Sequence, residues 1–571
     1  MGQCVSIATI FSCGFGVGGL ALKALQNRAS GSGDSADTEL RASSSSSAPQ
    51  DVDEECKWLH NLLNILWPRI NKFLQVMVQE QIIPEIDRAL PKMLKGSVKF
   101  PKIFLGRAVP SFRNIRLKER DDQAIVLQVS IEMASDMDVE IQALRVPVGM
   151  KRLQFSGELN VVFHPEKSAP PFFGGVTVFF IDPPRLDMDF TGAADFVDMP
   201  VLRNVVRSTI LHAVSGAVVL PARIAVDLNE DDDTDQADLS FPPPVGILRI
   251  LVRKGTDLVA ADFGLRPSSD PFVVIEVGQQ RWQSSVVEKS LNPVWEHGNV
   301  QDFLVYDRGQ KANIHVYDKD TYSRDDLIGS VSRIDLEPLM LRKPCDTDFS
   351  LSLEGRPAGT LQISSRWFEL SPSAPPDIPA AVARGPSQLV LAVKLLGITD
   401  LPKSYKPPFV VQVEVSTVNA VLTSRKSLPP SNIKPVAVEV ADIARRLHRA
   451  HNPINQISEV TGLELRAVSL AIAQDSPQSY ARAKEEAVAE LSATHPAFNQ
   501  ILRLPLPWTS EVVNSATVSL SLSDRTDRRL AKAVVVRLAD VAAAEVEGGF
   551  ALSCGGTLQA KLSIAWMALP N

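Results

Sequence analysis

Apolar residues between positions 55 and 228 change from helical spacing to strand alternation and back again. From Trp58 to Val76 they recur every three or four positions, which predicts an amphipathic helix. Alternation of apolar and other residues then predicts strands, in runs that include 125–131, 153–163, 176–180 and 186–190. Helical spacing returns from Val201 to Val219. This order predicts an α+β domain over residues 55–228.

A second apolar pattern occurs twice in the rest of the chain. The run Leu389–Val393 repeats Ile247–Leu251, and Gly556–Gln559 repeats Gly359–Gln362. Short apolar runs of this kind, bounded by turn residues, are typical of strands. The repetition predicts two related all-β domains, over residues 245–370 and 387–569.

Residues 428–494 interrupt the second all-β domain between two of its strands. Helical composition and spacing mark Val440–His448, Leu463–Ala473 and Ser479–Ser492 within this insert. Surface loops tolerate insertions of this size. We therefore predict a helical insert, and its sequence does not identify a partner.

Three polar or proline-rich segments separate the predicted domains. Residues 29–54 contain five consecutive serines and predict a flexible, disordered tether. Residues 229–244 are acidic and end in three prolines, which predicts a solvated but stiff linker. Residues 371–386 are rich in proline and alanine and predict a further linker.

Composition narrows the classes of function. The 571 residues are 45% hydrophobic and 22% charged, which is ordinary for globular domains. A net charge of −7 argues against nucleic acid as a partner. The five cysteines are scattered, which favours a reducing compartment over a disulfide framework. No GxSxG, HExxH or P-loop motif occurs, so we expect no enzymatic activity.

The N-terminus predicts a membrane anchor over residues 1–28. Gly2 follows the initiator methionine in a myristoylation pattern, and Cys4 beside it is a candidate for palmitoylation. Alternatively, the 19 residues from Cys4 to Leu22 carry no charge and are just long enough to span a bilayer. Lys23 and Arg28 would keep the following chain in the cytosol. A cleaved signal peptide is a third interpretation, although no basic segment precedes the apolar run.

Six aspartates occur in two short polar segments of the first all-β domain, about fifty residues apart. Each segment follows an apolar, strand-like run. Ca²⁺ takes 6–8 oxygen ligands, and two loops bearing carboxylates can supply most of them. Without a cation, such a cluster of like charges would repel itself. The sequence therefore predicts a Ca²⁺ site, and a pair of solvated acidic loops is the alternative.

The segment from Val245 to Trp367 resembles a C2 domain, in phrases such as Ser269-Asp270-Pro271 and Asn292-Pro293-Val294-Trp295. The resemblance implies a β-sandwich that binds Ca²⁺ and membrane through loops at one end. It implies the Ca²⁺ ligands Asp262, Asp270, Asp318, Asp320 and Asp326. Candidate membrane-contacting residues in the same loops are Phe263, Leu265, Arg266, Tyr322 and Arg324.

The second copy, by the same comparison, is a divergent C2 domain. Pro407 stands where Asp270 would be, Asp524-Arg525-Thr526 replaces Asp318–Asp320, and Arg529 replaces Asp326. Arginines among the remaining carboxylates do not suit a Ca²⁺ site. We expect this copy to act as a structural element, a protein contact or a metal-independent membrane surface.

Residues 55–228 resemble an SMP domain, a tubular α/β half-barrel that binds lipid. The resemblance rests on the order of several short phrases, among them Leu66-Trp67-Pro68, Phe173-Gly174-Gly175 and Leu220-Pro221. It implies a groove for glycerolipid acyl chains, and it implies that two copies pair through this domain. Periodicity alone fits an ordinary α+β core equally well. Our candidate groove residues are Ile125, Leu127, Val129, Val161, Phe163, Val178 and Phe180.

The order of anchor, tether, SMP domain and two C2 domains resembles the extended synaptotagmins, plant synaptotagmins and tricalbins. The resemblance implies an endoplasmic reticulum protein facing the cytosol, which tethers that membrane to the plasma membrane and moves glycerolipids between them. Ca²⁺ would control docking of the first C2 domain on anionic phospholipid. The competing hypothesis is a Ca²⁺-dependent tether or trafficking adaptor that transports no lipid.

Overall fold

The structure is a computed structural model of the whole chain. It describes residues 57–570 except for gaps at 84–85, 88–89, 91–97, 120–123, 144–145, 166–172, 193–199, 229–235, 261–268, 321–324, 376–377, 406, 417–419, 425–426, 428–437, 451–452, 462–464, 474–491, 510–511, 513–514, 525–528 and 532–533. The predicted anchor and tether lie outside the described residues. None of the described helices is both long enough and apolar enough to span a membrane.

The described residues form two compact units, divided in sequence between Arg366 and Trp367. The first unit holds the predicted α+β domain and the first predicted all-β domain. The second unit holds the divergent all-β domain with its insert.

The α+β domain is built on one eight-stranded antiparallel sheet. Its elements are α1 (Lys57–Met77), a π-helical turn (Val78–Ile82), β1 (Val98–Phe104), β2 (Ser111–Glu119), β3 (Ile125–Ser135), β4 (Asp138–Ala143), β5 (Val146–Pro165), β6 (Phe173–Phe180), β7 (Arg185–Gly192), α2 (Pro200–Val218) and β8 (Ile224–Asp227). The strand order is β1–β4–β5–β3–β2, and β6 and β7 also pair with β5. The 20-residue β5 changes neighbours along its length, and the sheet curls into a half-barrel.

Part of the predicted linker covers the sheet at β6 and β8, on the face that carries Gly175. Residues 236–240 form the short helix α3 (Gln236–Ser240). Ala237, Leu239 and Phe241 are buried, and Leu239 packs so closely on Gly175 that an added Cβ would lie 3.1 Å from it. The second half of the segment 229–244 is thus packed on the domain. Its apolar side chains are removed from water there, which lowers the free energy of the folded state.

The first all-β domain consists of antiparallel strands. They are β9 (Gly246–Thr256), β10 (Pro271–Val277), β11 (Gln280–Gln283), β12 (Val300–Val305), β13 (Lys311–Asp318), β14 (Asp326–Asp335), β15 (Cys345–Leu353) and β16 (Arg356–Ser371). The pairing order runs β11–β10–β13–β14–β15–β16, while β9 pairs with β12. Arg249 and Asp302 face each other on β9 and β12. They form a buried two-point ion pair with distances of 2.7 and 2.9 Å.

The two domains of the first unit contact each other at a site that we call the joint. The side-chain amide of Gln279, in the β10–β11 turn, donates to Ser215 O at 2.8 Å and to Val219 O at the end of α2. The backbone N–H of Lys311 donates to Oδ1 of Asp182 at 2.9 Å. Asp182 lies between β6 and β7, and burial raises the pKa of its carboxyl despite that hydrogen bond and the nearby charges of Arg333 and Lys311. The joint therefore connects the all-β domain to the end of α2 and to the segment between β6 and β7 of the α+β domain.

The second unit is a β-sandwich with a helical insert. Its strands are β17 (Leu389–Thr399), β18 (Val410–Val415), β19 (Ala420–Thr423), β20 (Ala497–Leu506), β21 (Thr517–Ser523), β22 (Val534–Arg537), β23 (Val546–Ala551) and β24 (Thr557–Ala568), and the short helices α4 (Ala380–Ala383) and α8 (Leu538–Ala543) accompany them. Strands β17, β20 and β24 form one layer, and β18, β19, β21 and β22 form the other. One apolar cluster, which includes Phe409, Leu520 and Trp566, fills the space between them.

The insert contains the helices α5 (Val438–Arg449), α6 (Ile454–Thr461) and α7 (Leu465–Ala473). They pack through a small core of their own, formed by Ala441, Ala444, Ile457, Val468 and Ala471. This confirms the first two predicted helical stretches of the insert. Helix α6 was not predicted, and all but the last residue of 479–492 lies outside the described residues.

Candidate functional site

The seven candidate groove residues share one face of the half-barrel sheet. Directly paired residues of antiparallel strands point to the same side, and alternate residues of one strand do too. The register pairs Ile125 with Phe163, Leu127 with Val161, and Val161 with Val178. It also pairs Leu159 with both Val129 and Phe180. The structure therefore brings all seven residues together on one surface.

This apolar face is only partly closed. Val129, Val161, Val178 and Phe180 are buried, whereas Ile125, Leu127 and Phe163 are half-buried. Further members of the same surface were not predicted, namely Ile131, Phe155, Leu159, Val176, Val218, Val219 and Ile224. Alternation along the predicted strands marks Ile131, Phe155, Leu159 and Val176, although they are not among the candidate groove residues. The residues from α2 and β8 carry no such signal, because only the tertiary fold brings them to the sheet.

Three of the predicted Ca²⁺ ligands lie at neighbouring strand ends of the first all-β domain. Asp270 immediately precedes β10, whose first residue, Pro271, pairs with Asp318 at the end of β13. Asp326 begins β14 and pairs with Asp318 from the other side. The backbone N–H of Asp270 donates to Oδ1 of Asp318 at 2.6 Å. The strand register thus places three carboxylates at one corner of the sheet.

The side chains around this corner are held by further hydrogen bonds. Oδ1 of Asp270 accepts the backbone N–H of Lys289 at 2.7 Å. Asp318 is only 2% exposed. Asp325, which was not predicted to be a ligand, instead pairs with Nζ of Lys319 at 2.9 Å and accepts the backbone N–H of Asp320 at 3.2 Å. Asp325 therefore shapes the segment that carries Asp320.

Several predicted site residues fall outside the described residues. These are Gly2, Cys4, Asp262, Phe263, Leu265, Arg266, Tyr322 and Arg324. Among the residues that the structure describes, no group of three or more His, Cys, Asp or Glu side chains is arranged to hold a metal ion. The donor set itself fits Ca²⁺, because carboxylate oxygens are the ligands that this ion prefers.

The corresponding corner of the second unit has a different character. Pro407 and Pro408 precede the buried Phe409 and β18. Arg529 replaces the aspartate that begins β14 in the first copy. Its backbone forms an isolated β-bridge with Ser523, and its Nη2 pairs with Oε1 of Glu414 at 2.9 Å. A cationic side chain thus lies where the first copy has Asp326.

Comparison with known domain families assigns the first unit. Residues 52–229 match the synaptotagmin-like mitochondrial-lipid-binding (SMP) domain family, and residues 246–351 match the C2 domain family. The chain contains an SMP domain followed by a C2 domain. The match confirms both resemblances noted in the sequence.

Curated relatives match the same part of the chain. Extended synaptotagmin-3 of Xenopus tropicalis is 29% identical over 360 residues, which cover 62% of this chain and 39% of that protein. Extended synaptotagmin-2 of Homo sapiens is 30% identical over 330 residues, which cover 56% of this chain and 35% of that protein. The resemblance to extended synaptotagmins is thereby confirmed, and this chain spans well under half the length of those relatives.

A solved structure shows the fold of a larger part of the chain. The SMP domain and the two C2 domains that follow it in Extended-Synaptotagmin 2 align with a TM-score of 0.55 and 21% identity. The alignment covers 90% of this chain and 99% of that structure. It confirms the predicted architecture of an SMP half-barrel followed by two C2 sandwiches.

Proposed function

We propose that the chain binds glycerolipids on the apolar face of its SMP domain and moves them between two membranes. The observation that carries this proposal is the strand register, which places all seven candidate groove residues on one face of a curled sheet. An ordinary core would bury that face completely. The half-buried Ile125, Leu127 and Phe163 instead leave apolar surface for a ligand.

The free energy of lipid transfer explains why such a face is needed. Each methylene group moved from a bilayer into water costs about 0.8 kcal/mol. A lipid with two acyl chains therefore faces a barrier on the order of tens of kcal/mol for bare passage through water. A continuous apolar surface removes most of this cost, since the chains exchange one apolar environment for another.

We further propose that Ca²⁺ controls docking of the first C2 domain on anionic phospholipid. Asp270, Asp318 and Asp326 meet at one corner of the sheet, and Asp320 follows in the adjoining segment. Asp262 is the fifth ligand in this proposal. A bound cation neutralises the corner and accepts headgroup oxygens as its remaining ligands. The membrane-contacting roles belong to Phe263, Leu265, Arg266, Tyr322 and Arg324.

The cellular setting follows from the relatives, and it is part of the same proposal. The N-terminal anchor, acylated at Gly2 and Cys4 or inserted as a span, holds the chain on the cytosolic side of the endoplasmic reticulum. The C2 domain reaches the plasma membrane, and two copies pair through their SMP domains. The role is that of a lipid carrier and tether, without catalysis.

The decisive experiment is mass spectrometry of lipids that co-purify with the full chain and with two variants. Leu127→Trp fills the apolar face with a larger ring and should lower both the bound phospholipid and the extraction of labelled lipid from vesicles. Gln128→Trp places the same ring on the opposite face of β3 and serves as the control. It should retain bound lipid.

The competing function, a Ca²⁺-dependent tether or trafficking adaptor without lipid transport, predicts a different outcome. In that case the wild-type chain carries no phospholipid and extracts none from vesicles. Equal lipid content in both tryptophan variants would also contradict a groove on the Leu127 face.

A further inference from the structure

The strand β2 forms one edge of the SMP sheet, and a bulge separates its second half from its first. In the described part of the sheet, β2 pairs with β3 alone. A shift in register between Arg113 and Arg116 interrupts the pairing, and Asn114 within it has a φ of +53°. Such bulges redirect the side chains that follow them. The three residues after the bulge are Arg116, Leu117 and Lys118.

Leu117 continues the apolar face to its open edge. It pairs with Leu127, one of the groove residues, so both side chains lie on the same face of the sheet. Yet Leu117 is 64% exposed, while its neighbours further inside are half-buried or buried. The apolar surface thus ends in a large side chain that the described residues leave uncovered.

Two cations flank this leucine on the opposite face. Arg116 pairs with Gln128 and Lys118 pairs with Val126. Both side chains are exposed, and neither has a hydrogen bond or ion pair to another described residue. Glu119 follows on the face of Leu117, opposite Ile125, and therefore does not neutralise them by pairing across the strand.

We infer that the β2 edge at Arg116, Leu117 and Lys118 docks on an anionic bilayer surface, so that acyl chains enter the apolar face beside Leu117. Cations near an anionic leaflet are attracted to it, and a leucine between them gains by entering the acyl boundary. This inference rests on the proposed lipid-carrier function and adds the site of membrane entry.

A second copy of the chain is a poorer occupant of this edge. Joining two β2 edges would bring Arg116 and Lys118 of both copies into one short ladder of like charges, which opposes pairing; Arg113, before the bulge, is paired with Glu132 at 3.8 Å. Edge cations also occur simply to prevent such pairing. Prevention of edge-to-edge pairing does not explain the exposed leucine between these cations, because an apolar side chain favours association.

The test measures vesicle clustering by the full chain. Neutral phosphatidylcholine vesicles that carry the chain are mixed with acceptor vesicles that contain phosphatidylserine, in the presence of EGTA. Arg116→Gln with Lys118→Gln should raise the acceptor concentration for half-maximal vesicle clustering about 30-fold, or about fivefold for each cation. Lys151→Gln with Arg152→Gln is the control, since it removes two adjacent exposed cations from β5 of the same sheet, although Arg152 also pairs with Asp189 at 3.8 Å. The control pair should change clustering by less than about threefold.

A second measurement reports the contact directly. An environment-sensitive fluorophore at Leu117→Cys, in a chain whose five native cysteines are serine, should shift to the blue on acceptor vesicles with phosphatidylserine. The same label at Lys151→Cys should not shift. No shift at position 117, or equal losses of clustering in both glutamine pairs, overturns the inference. A change of oligomeric state in Arg116→Gln with Lys118→Gln, without a change in vesicle clustering, assigns the edge to self-association and overturns it too.

Failure of the inference can be told apart from failure of the proposed function. If the chain carries phospholipid and the β2 variants still cluster acceptor vesicles normally, the groove stands and the entry site is wrong. If the chain carries no phospholipid, the lipid-carrier function fails, whatever the β2 edge contacts.

Discussion

Truncation of Gln279 should loosen the joint between the SMP domain and the first C2 domain. Carbonyl groups near the C-terminal end of a helix can accept hydrogen bonds from outside the helix, and Ser215 O and Val219 O each also accept one backbone N–H, from Val219 and Ala222. At the end of α2, the side-chain amide of Gln279 supplies two donors from the neighbouring domain. Its contact with Leu220 O is longer, at 3.4 Å. Since Val219 and Leu220 are fully buried, Gln279→Ala leaves these carbonyl groups without that donor in a poorly solvated place.

The expected effect follows from the number of hydrogen bonds lost. An amide has two N–H groups, so two of the three contacts can be well formed at once. Each net hydrogen bond contributes about 0.5–1.5 kcal/mol, which gives about 1–3 kcal/mol for the pair. The equilibrium between joined and separated domains should therefore shift by about 5-fold to 150-fold towards separation.

Hydrogen exchange at the backbone amide of Lys311 is the assay. That amide is a suitable reporter because its acceptor, Oδ1 of Asp182, lies across the joint. In Gln279→Ala this amide should exchange about 5-fold to 150-fold faster. Gln283→Ala is the control, because Gln283 lies in the same hairpin, is exposed, and pairs with Val274 through its backbone. Unchanged protection of Lys311 in Gln279→Ala, or equal acceleration in both variants, would refute the reasoning.

Two further predictions concern carboxylates. Asp318→Asn with Asp320→Asn should abolish Ca²⁺-dependent binding to anionic vesicles in a flotation assay. Asp325→Asn removes the charge that pairs with Lys319 but keeps an oxygen for the backbone N–H of Asp320, so it should retain this binding; survival of binding in the first variant would exclude this metal site. Burial raises the pKa of Asp182, so its contribution to the stability of the first unit is fully present below the unfolded pKa of about 4 and is lost as pH rises through the folded value. Asp182→Asn still offers an oxygen to Lys311 and should flatten that part of the pH profile of thermal stability; an unchanged profile would show that Asp182 does not titrate there.

Periodicity in the sequence predicted which strand residues form the apolar face of the SMP domain, without knowledge of the strand pairing. Alternation decides which residues of a strand share a face, and the observed register kept Leu127, Val161 and Val178 together. Strand limits were predicted less well. The run predicted over 153–163 belongs to the longer β5, because pairing with β4 and β7 extends it towards Val146.

The predicted linker shows where composition was a weak guide. The acidic start of 229–244 and its three prolines indicated a solvated segment. Leu239 and Phe241 nevertheless pack on the SMP domain. Two apolar side chains in a polar stretch were the available signal, but the surface that receives them exists only in the folded sheet.

The sequence alone determined the types of domain and the face of each strand, and it supplied the candidate Ca²⁺ ligands. These properties depend on side-chain chemistry and on periods of two or about three and a half residues, which are local. The resemblance indicated Asp326 rather than the adjacent Asp325, and the strand register of the folded sheet put Asp326 beside Asp318; a shift of one residue in register would exchange the two faces of the strand. Tertiary structure decided the joint, since Gln279 and Asp182 have ordinary polar side chains whose partners lie about 60 and 129 residues away. Only the fold brings donors and acceptors together over such separations.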